Sequence, residues 1–128
     1  MYSSKRHAWQ RGNFVSFAEI EVELDNEYSD HEITDPIGID LVDGRWRSGV
    51  LFALSLLQEK LPGTSDSTGA RVSIKKFRGQ PVDTSTIAVA YVTFHAIAQV
   101  LAPELLEEFV FDEDRAEFKI VSPRIACR

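Results

Sequence analysis

Two segments of the chain alternate between apolar and polar residues. In residues 14–24 the apolar positions share one side, and Glu19, Glu21 and Glu23 share the other. Residues 70–77 begin with the same alternation. A period of two is typical of a β-strand, because successive side chains point to opposite faces of the sheet. Both segments therefore predict strands with one buried and one solvated face.

Two other segments carry apolar residues at helical spacing. Residues 46–61 and residues 84–101 each place their apolar residues on one stripe. Pro62 follows the first segment and Pro103 the second, where proline cannot continue a helix. His95 falls beside the second stripe, which predicts a surface or boundary position. We therefore expect two helices, with core-facing stripes of Trp46, Val50, Ala53, Leu54, Leu57 and Leu61 in the first, and of Ile87, Ala90, Tyr91, Phe94, Ala98 and Leu101 in the second.

The last part of the chain predicts a β-hairpin. Residues 107–121 place aromatic residues on two arms around an acidic turn at residues 112–114. Two shorter features are a strand at residues 37–42 and a linker of Ser, Thr and Gly at residues 64–69. Strands and helices thus alternate along the chain.

The solvated side of each predicted strand decides the fold class. Strands with one wet face argue against a parallel sheet covered on both faces. We therefore expect an α+β two-layer sandwich, with two helices on one face of a mainly antiparallel sheet. The length of 128 residues suits one core. We expect residues 1–13 to form a partly ordered N-terminal arm and residues 14–128 to form a single α+β domain.

Charge is distributed unevenly along the chain. The net charge of −6 disfavours non-specific binding to nucleic acid. Residues 19–43 contain ten acidic residues and no Lys or Arg, whereas residues 71–78 contain four basic residues and no acidic one. Three interpretations stay open: ordinary solvated faces, a basic strand and turn that contact RNA or the ribosome, or an acidic strand that binds a basic protein. The candidate contacts are Arg71, Lys75, Lys76, Arg78 and Gln80 for RNA, and Glu19, Glu21 and Glu23 for a basic protein.

The start of the second predicted helix carries short polar side chains. Asp83 or Thr84 can serve as the N-cap, because a side-chain oxygen there accepts a hydrogen bond from a free amide of the first turn. Asp83 would also complement the helix dipole. We therefore interpret Asp83 and Thr84 as a structural helix cap rather than as catalytic residues.

Motifs for catalysis are not recognisable in the sequence. Ser48 lacks the Gly-x-Ser-x-Gly elbow of a nucleophile, and residues 63–69 lack the lysine of a phosphate-binding loop. The polar residues 30–35 could supply metal ligands, but their spacing favours a local polar loop. We therefore predict no catalytic centre, no metal and no cofactor, although a small enzyme on this fold stays a third class of function.

The composition is typical of an ordinary globular protein, with 44% hydrophobic and 27% charged residues. The single cysteine, Cys127, excludes an internal disulfide. Apolar runs are much shorter than a membrane span. We expect a cytoplasmic protein.

Three short motifs occur in a characteristic order. Gly49-Val50 lies in the first predicted helix, Val82-Asp83-Thr84-Ser85 precedes an alanine-rich helix, and Pro103-Glu104-Leu105-Leu106-Glu107 follows that helix. This order resembles the fourth domain of the translocase elongation factor G, in which Val-Asp-Ser-Ser precedes an alanine-rich helix and Pro-x-Leu-Leu-Glu leads into the next strand. The resemblance covers about residues 14–111. It implies the α+β sandwich of that domain and a non-catalytic role on RNA or the ribosome.

The chain also departs from that domain. The family's turn before Val-Asp-Ser-Ser forms the tip that enters the decoding site and often carries a histidine, whereas this turn is only Arg78-Gly79-Gln80-Pro81. The sequence has no Gly-x-x-x-x-Gly-Lys-Ser/Thr loop for GTP phosphates. The resemblance therefore implies a freestanding relative without the GTPase module, which cannot power translocation.

Overall fold

Strands, α-helices and one 3₁₀ helix make up the structure, a computed structural model that describes residues 1–25, 32–34, 44–60, 71–80 and 82–121. In chain order the elements are β1 (Tyr2–Arg11), β2 (Phe14–Asp25), β3 (Glu32–Thr34), α1 (Gly44–Lys60), β4 (Arg71–Arg78), α2 (Thr86–Leu101), a 3₁₀ helix (Pro103–Glu108), β5 (Phe109–Asp112) and β6 (Glu117–Ile120). The predicted α+β class is confirmed. The expected strand at residues 37–42 and the expected linker at residues 64–69 lie outside the described residues.

The main sheet has four strands in the order β1-β2-β4-β3. Strand β2 is antiparallel to β1 and to β4, and the short β3 is parallel to β4. Strands β5 and β6 form a separate antiparallel hairpin, as the sequence predicts. The main sheet is therefore mainly antiparallel, and β2 and β4 lie side by side in it.

Residues 2–11 correct the expectation of a partly ordered N-terminal arm. They form β1, which pairs with β2 along its whole length and connects to it through Gly12 at a φ of +59°. Hydrogen bonds between the backbones of Met1 and Leu24 extend the pairing by one residue. The apolar pattern does not reveal this strand, because its inward positions are Ser3, Lys5, His7 and Trp9. The hairpin and α2 cover these side chains.

Helix α2 is the centre of the core. The inner face of the main sheet, the helix α1 and the β5-β6 hairpin each pack against it. Its residues 88–90 and 92–98 are buried, so burial extends around nearly the whole helix. A helix with a single apolar stripe would leave the opposite side in water. His95 is therefore buried, which corrects the expected surface or boundary position.

Gly49 sets the distance between the two helices. A Cβ atom built at this position would lie 2.6 Å from the Thr86 carbonyl oxygen and 2.9 Å from Val89 Cβ. Contacts below 3.0 Å cannot be accommodated without movement of the backbone. The absence of a side chain at Gly49 thus lets α1 approach the first turns of α2.

The start of α2 corrects the predicted helix cap. Ser85 has extended backbone angles, and its Oγ accepts a hydrogen bond of 3.1 Å from the Ala88 amide, so Ser85 is the N-cap. Thr84 is buried and its hydroxyl donates to the Phe17 carbonyl at 2.6 Å. The Asp83 carbonyl accepts from the Phe17 amide at 3.0 Å. Asp83 and Thr84 therefore fasten the chain before α2 to β2 instead of capping the helix.

Candidate functional site

The sequence-predicted contact residues lie mostly on one surface, the side of the main sheet that faces away from the helices. We call this surface the open face. Ile20 and Val22 are fully buried on the inner side, so the glutamates that alternate with them point outward. Strands β1 and β4 place their outward residues beside these glutamates. The open face comprises Ser4, Arg6, Glu19, Glu21, Glu23, Lys75, Lys76 and Arg78.

The acidic and basic candidates pair with each other across β2 and β4. Glu19 and Arg78 are directly opposite, with Oε1 and Nη1 3.2 Å apart. Glu21 Oε1 and Lys76 Nζ are 3.9 Å apart in the adjacent pair. The two candidate surfaces are therefore a single surface. Opposite charges at directly opposed positions also stabilise the pairing of the strands.

An irregularity in β4 adds a third ion pair. The register shifts between Glu21 and Val22, so β4 holds an extra residue there. Lys75 is that residue, and its Nζ lies 3.2 Å from Glu23 Oε1. A β-bulge of this kind redirects a side chain that would otherwise point to the other face. All three glutamates of β2 consequently have a cation close by.

The partners in two of these pairs differ in exposure. The side chains of Lys76 and Arg78 are 76% and 74% exposed, whereas those of Glu21 and Glu19 are 33% and 31% exposed. Arg6 is also exposed, and its guanidinium lies 5.8 Å from the centre of the Phe17 ring. In these two pairs the cation is thus the more exposed partner, whereas in the third pair Lys75 is 30% and Glu23 37% exposed.

A depression lies between β1, β2 and β4. Its volume is about 240 Å³, and it is lined by Ser4, Glu19, Ile20, Glu21, Lys76 and Arg78. Ile20 is buried on the inner side of the sheet, so the polar residues supply the chemistry of the depression. Positively charged hydrogen-bond donors and negatively charged acceptors therefore surround one small space.

The other predicted contacts lie at the two ends of β4. Gln80 is exposed in the turn after Arg78, and its carbonyl accepts from the amides of Asp83 and Thr84. Val82, in the same turn, is 93% exposed. Arg71 begins β4 opposite Asp25, at the end remote from this turn. The structure thus brings Lys75, Lys76 and Arg78 together with the glutamates, and it leaves Arg71 apart from the turn.

Sequence reasoning missed a buried aromatic cluster with two histidines. The His7 ring contacts the rings of Tyr91, Phe111 and Phe118, and its Nε2 lies 2.9 Å from Ser16 Oγ. Burial lowers the pKa of His7 to about 4, with a smaller contribution from the charge of Lys5. His7 is therefore neutral near pH 7. The sequence carries no clear signal for the inward position of His7, because the other inward residues of β1 include Ser3 and Lys5.

His95 joins α2 to the same hairpin. Its Nε2 donates a hydrogen bond of 2.6 Å to the carbonyl oxygen of Phe109. Burial lowers the pKa of His95, while the hydrogen bond to Phe109 acts in the opposite direction. Burial also raises the pKa of Tyr91, which packs against His95. These polar groups hold the hairpin on α2.

Two kinds of functional feature have no example in the described parts of the chain. No group of three or more His, Cys, Asp or Glu residues in these parts lies close enough to hold a metal ion. No helix there is both long and apolar enough to cross a membrane.

Comparison with known proteins establishes a fold and no family. No protein-family profile and no curated protein matches the sequence. A solved structure of a Thermus thermophilus protein is similar, with a TM-score of 0.50 and 12% sequence identity. The match covers 77% of this chain and 16% of that chain. At this identity the likeness concerns the fold alone, and this domain corresponds to about one sixth of the larger protein.

Proposed function

We propose that this domain is a non-catalytic binding module whose open face contacts the phosphate backbone of RNA. The observation that carries the proposal is that Lys76 and Arg78 are more than twice as exposed as the glutamates with which they pair. An approaching polyanion would meet Lys76 and Arg78 before it meets the carboxylates of Glu21 and Glu19, and Arg6 is exposed beside them. The resemblance to the fourth domain of elongation factor G supports a cytoplasmic, ribosome-associated form of this role. The role requires no metal or cofactor.

The ion pairs do not prevent such binding. An exposed pair contributes only about 0.2–1 kcal/mol, because water screens it and two long side chains must be held in place. Lys76 and Arg78 can therefore turn from a glutamate to a phosphate at small cost. Each phosphate contact also releases counterions from the nucleic acid, which favours binding at low salt.

Binding of a basic protein to Glu19, Glu21 and Glu23 is the alternative, and the net charge of −6 favours it. The geometry of the open face argues against it. A basic partner would first meet the protruding Lys76 and Arg78, and like charges would repel it.

The test is a titration of labelled single-stranded RNA with the protein, followed by fluorescence anisotropy at low and at moderate salt. Arg78→Glu should weaken binding by about fivefold or more, because repulsion replaces attraction to phosphate. Arg115→Glu is the matched control: it makes the same change of charge at an exposed residue of the hairpin and should have a much smaller effect.

Co-sedimentation with ribosomes repeats the comparison of Arg78→Glu with Arg115→Glu, with the ribosome as the binding partner. Equal weakening by Arg78→Glu and Arg115→Glu would show that only the net charge matters, and the open face would lose its assigned role. Unchanged RNA binding in Arg78→Glu, together with loss of a basic partner when the three glutamates are changed to Lys, would establish the alternative.

A further inference from the structure

We propose that the depression on the open face binds one ribose–phosphate unit and selects RNA over DNA through Glu21. This inference rests on the proposed function and adds the class of nucleic acid. The depression measures about 240 Å³. Pockets for drug-sized ligands and cofactors measure roughly 300–1,000 Å³. Its small size suits one unit of a longer chain better than a separate small molecule.

The lining residues divide into donors for a phosphate and acceptors for a hydroxyl group. Lys76 and Arg78 carry only donors, and a phosphodiester carries only acceptors. Glu19 and Glu21, as carboxylates, only accept hydrogen bonds. A phosphodiester cannot donate to them. The group of an RNA chain that is present on every unit and can donate is the ribose 2′-hydroxyl, which DNA lacks.

Glu21 is the better acceptor of the two. Glu19 Oε1 already accepts a hydrogen bond from Arg78 Nη1 at 3.2 Å. Lys76 Nζ is 3.9 Å from Glu21 Oε1, which is an ion pair but too long for a hydrogen bond. Ser4 lies directly opposite Glu21 on β1, so its hydroxyl can donate to or accept from the same sugar. Bound DNA would shield Glu21 from water without replacing the lost hydrogen bond.

The test compares two labelled oligonucleotides of about twelve nucleotides, oligouridylate and oligodeoxyuridylate, which differ only in the 2′-hydroxyl. The native protein should bind the ribo form about tenfold more tightly, as expected for one hydrogen bond to a charged group. In Glu21→Ala the affinity for both forms should rise, because a negative charge is removed, but their ratio should fall to within about twofold. The ratio of the two affinities reports recognition of the 2′-hydroxyl, whereas a general electrostatic effect changes both affinities alike.

Glu23→Ala is the matched control, because Glu23 lies on the same strand and face but does not line the depression. It should raise both affinities and leave the tenfold ratio unchanged. Glu21→Gln keeps an acceptor without the charge and should give an intermediate ratio, which provides a second measurement if Glu21→Ala folds poorly. If the native protein bound both oligonucleotides equally, or if Glu21→Ala kept the tenfold preference for the ribo form, the inference would be overturned. The proposed RNA binding would still stand. Failure to bind either oligonucleotide would overturn both.

Discussion

Gly49→Ala tests the packing that positions the sheet and its open face. The substitution adds one methyl group where α1 crosses the start of α2. The new Cβ would lie 2.6 Å from the Thr86 carbonyl oxygen and 2.9–3.0 Å from two atoms of Val89. The first of these neighbours is a backbone atom, which cannot rotate away. The two helices must therefore separate or tilt.

Two opposing effects determine the size of the change. Ala is favoured over Gly inside a helix by about 1 kcal/mol. Overpacking of a core costs about 1–3 kcal/mol. Because the closest contact involves a backbone atom, we expect an overpacking cost near the upper end of this range. After the gain in helix propensity is subtracted, the free energy of unfolding should fall by about 2 kcal/mol. For a domain of this size that loss lowers the melting temperature by roughly 5–10 °C.

Urea unfolding followed by circular dichroism measures this free energy. Ser55→Ala is the matched control, because Ser55 is an exposed residue of the same helix. It should be neutral or slightly stabilising, since only helix propensity changes. If Gly49→Ala is as stable as the native protein or more so, the close crossing of α1 and α2 is wrong.

Three further predictions concern the turn and the buried cluster. Ser85→Ala should lower the free energy of unfolding by about 1 kcal/mol through loss of the cap, and Asp83→Ala should have less effect in the same urea titration. Thr84→Val should cost about 1–3 kcal/mol, because the Phe17 carbonyl loses its buried donor. The pKa of His7 is about 4 in the folded protein, below the unfolded value near 6.5, so the unfolded chain binds the proton first. Stability should therefore fall by on the order of 2–3 kcal/mol between about pH 6.5 and pH 4, and His7→Gln should flatten that part of the profile.

The periodic signals of the sequence predicted the strands and helices that bury one face. Strands β2 and β4 and the helices α1 and α2 all lie close to their predicted positions, because each of them buries at least one face. Strand β1 escaped prediction, because Lys5 and His7 occupy inward positions that α2 and the distant hairpin cover. The full burial of α2, and with it that of His95, likewise depends on three elements that meet only in the folded chain.

The sequence identified the individual residues of the candidate site, but it did not predict which of them lie next to each other. Charge along the chain identified Glu19, Glu21 and Glu23 on one segment and Lys76 and Arg78 on another. Their pairing depends on β2 and β4 being neighbours in one register, which hydrophobic periodicity does not determine. The same limit explains the misplaced cap. Asp83, Thr84 and Ser85 are all chemically suitable, and only the folded chain shows that Ser85 accepts from the Ala88 amide while Asp83 and Thr84 bond to Phe17.

The salt dependence of RNA binding tests the proposed role of the open face most directly. Contacts of Arg6, Lys76 and Arg78 with three phosphates predict a slope of about −2 when the logarithm of the binding constant is plotted against that of the salt concentration. Arg78→Glu should make the slope shallower by roughly 0.7–1, because one phosphate contact is lost. A slope near zero, or one that Arg78→Glu leaves unchanged, would contradict the assignment of the open face to RNA.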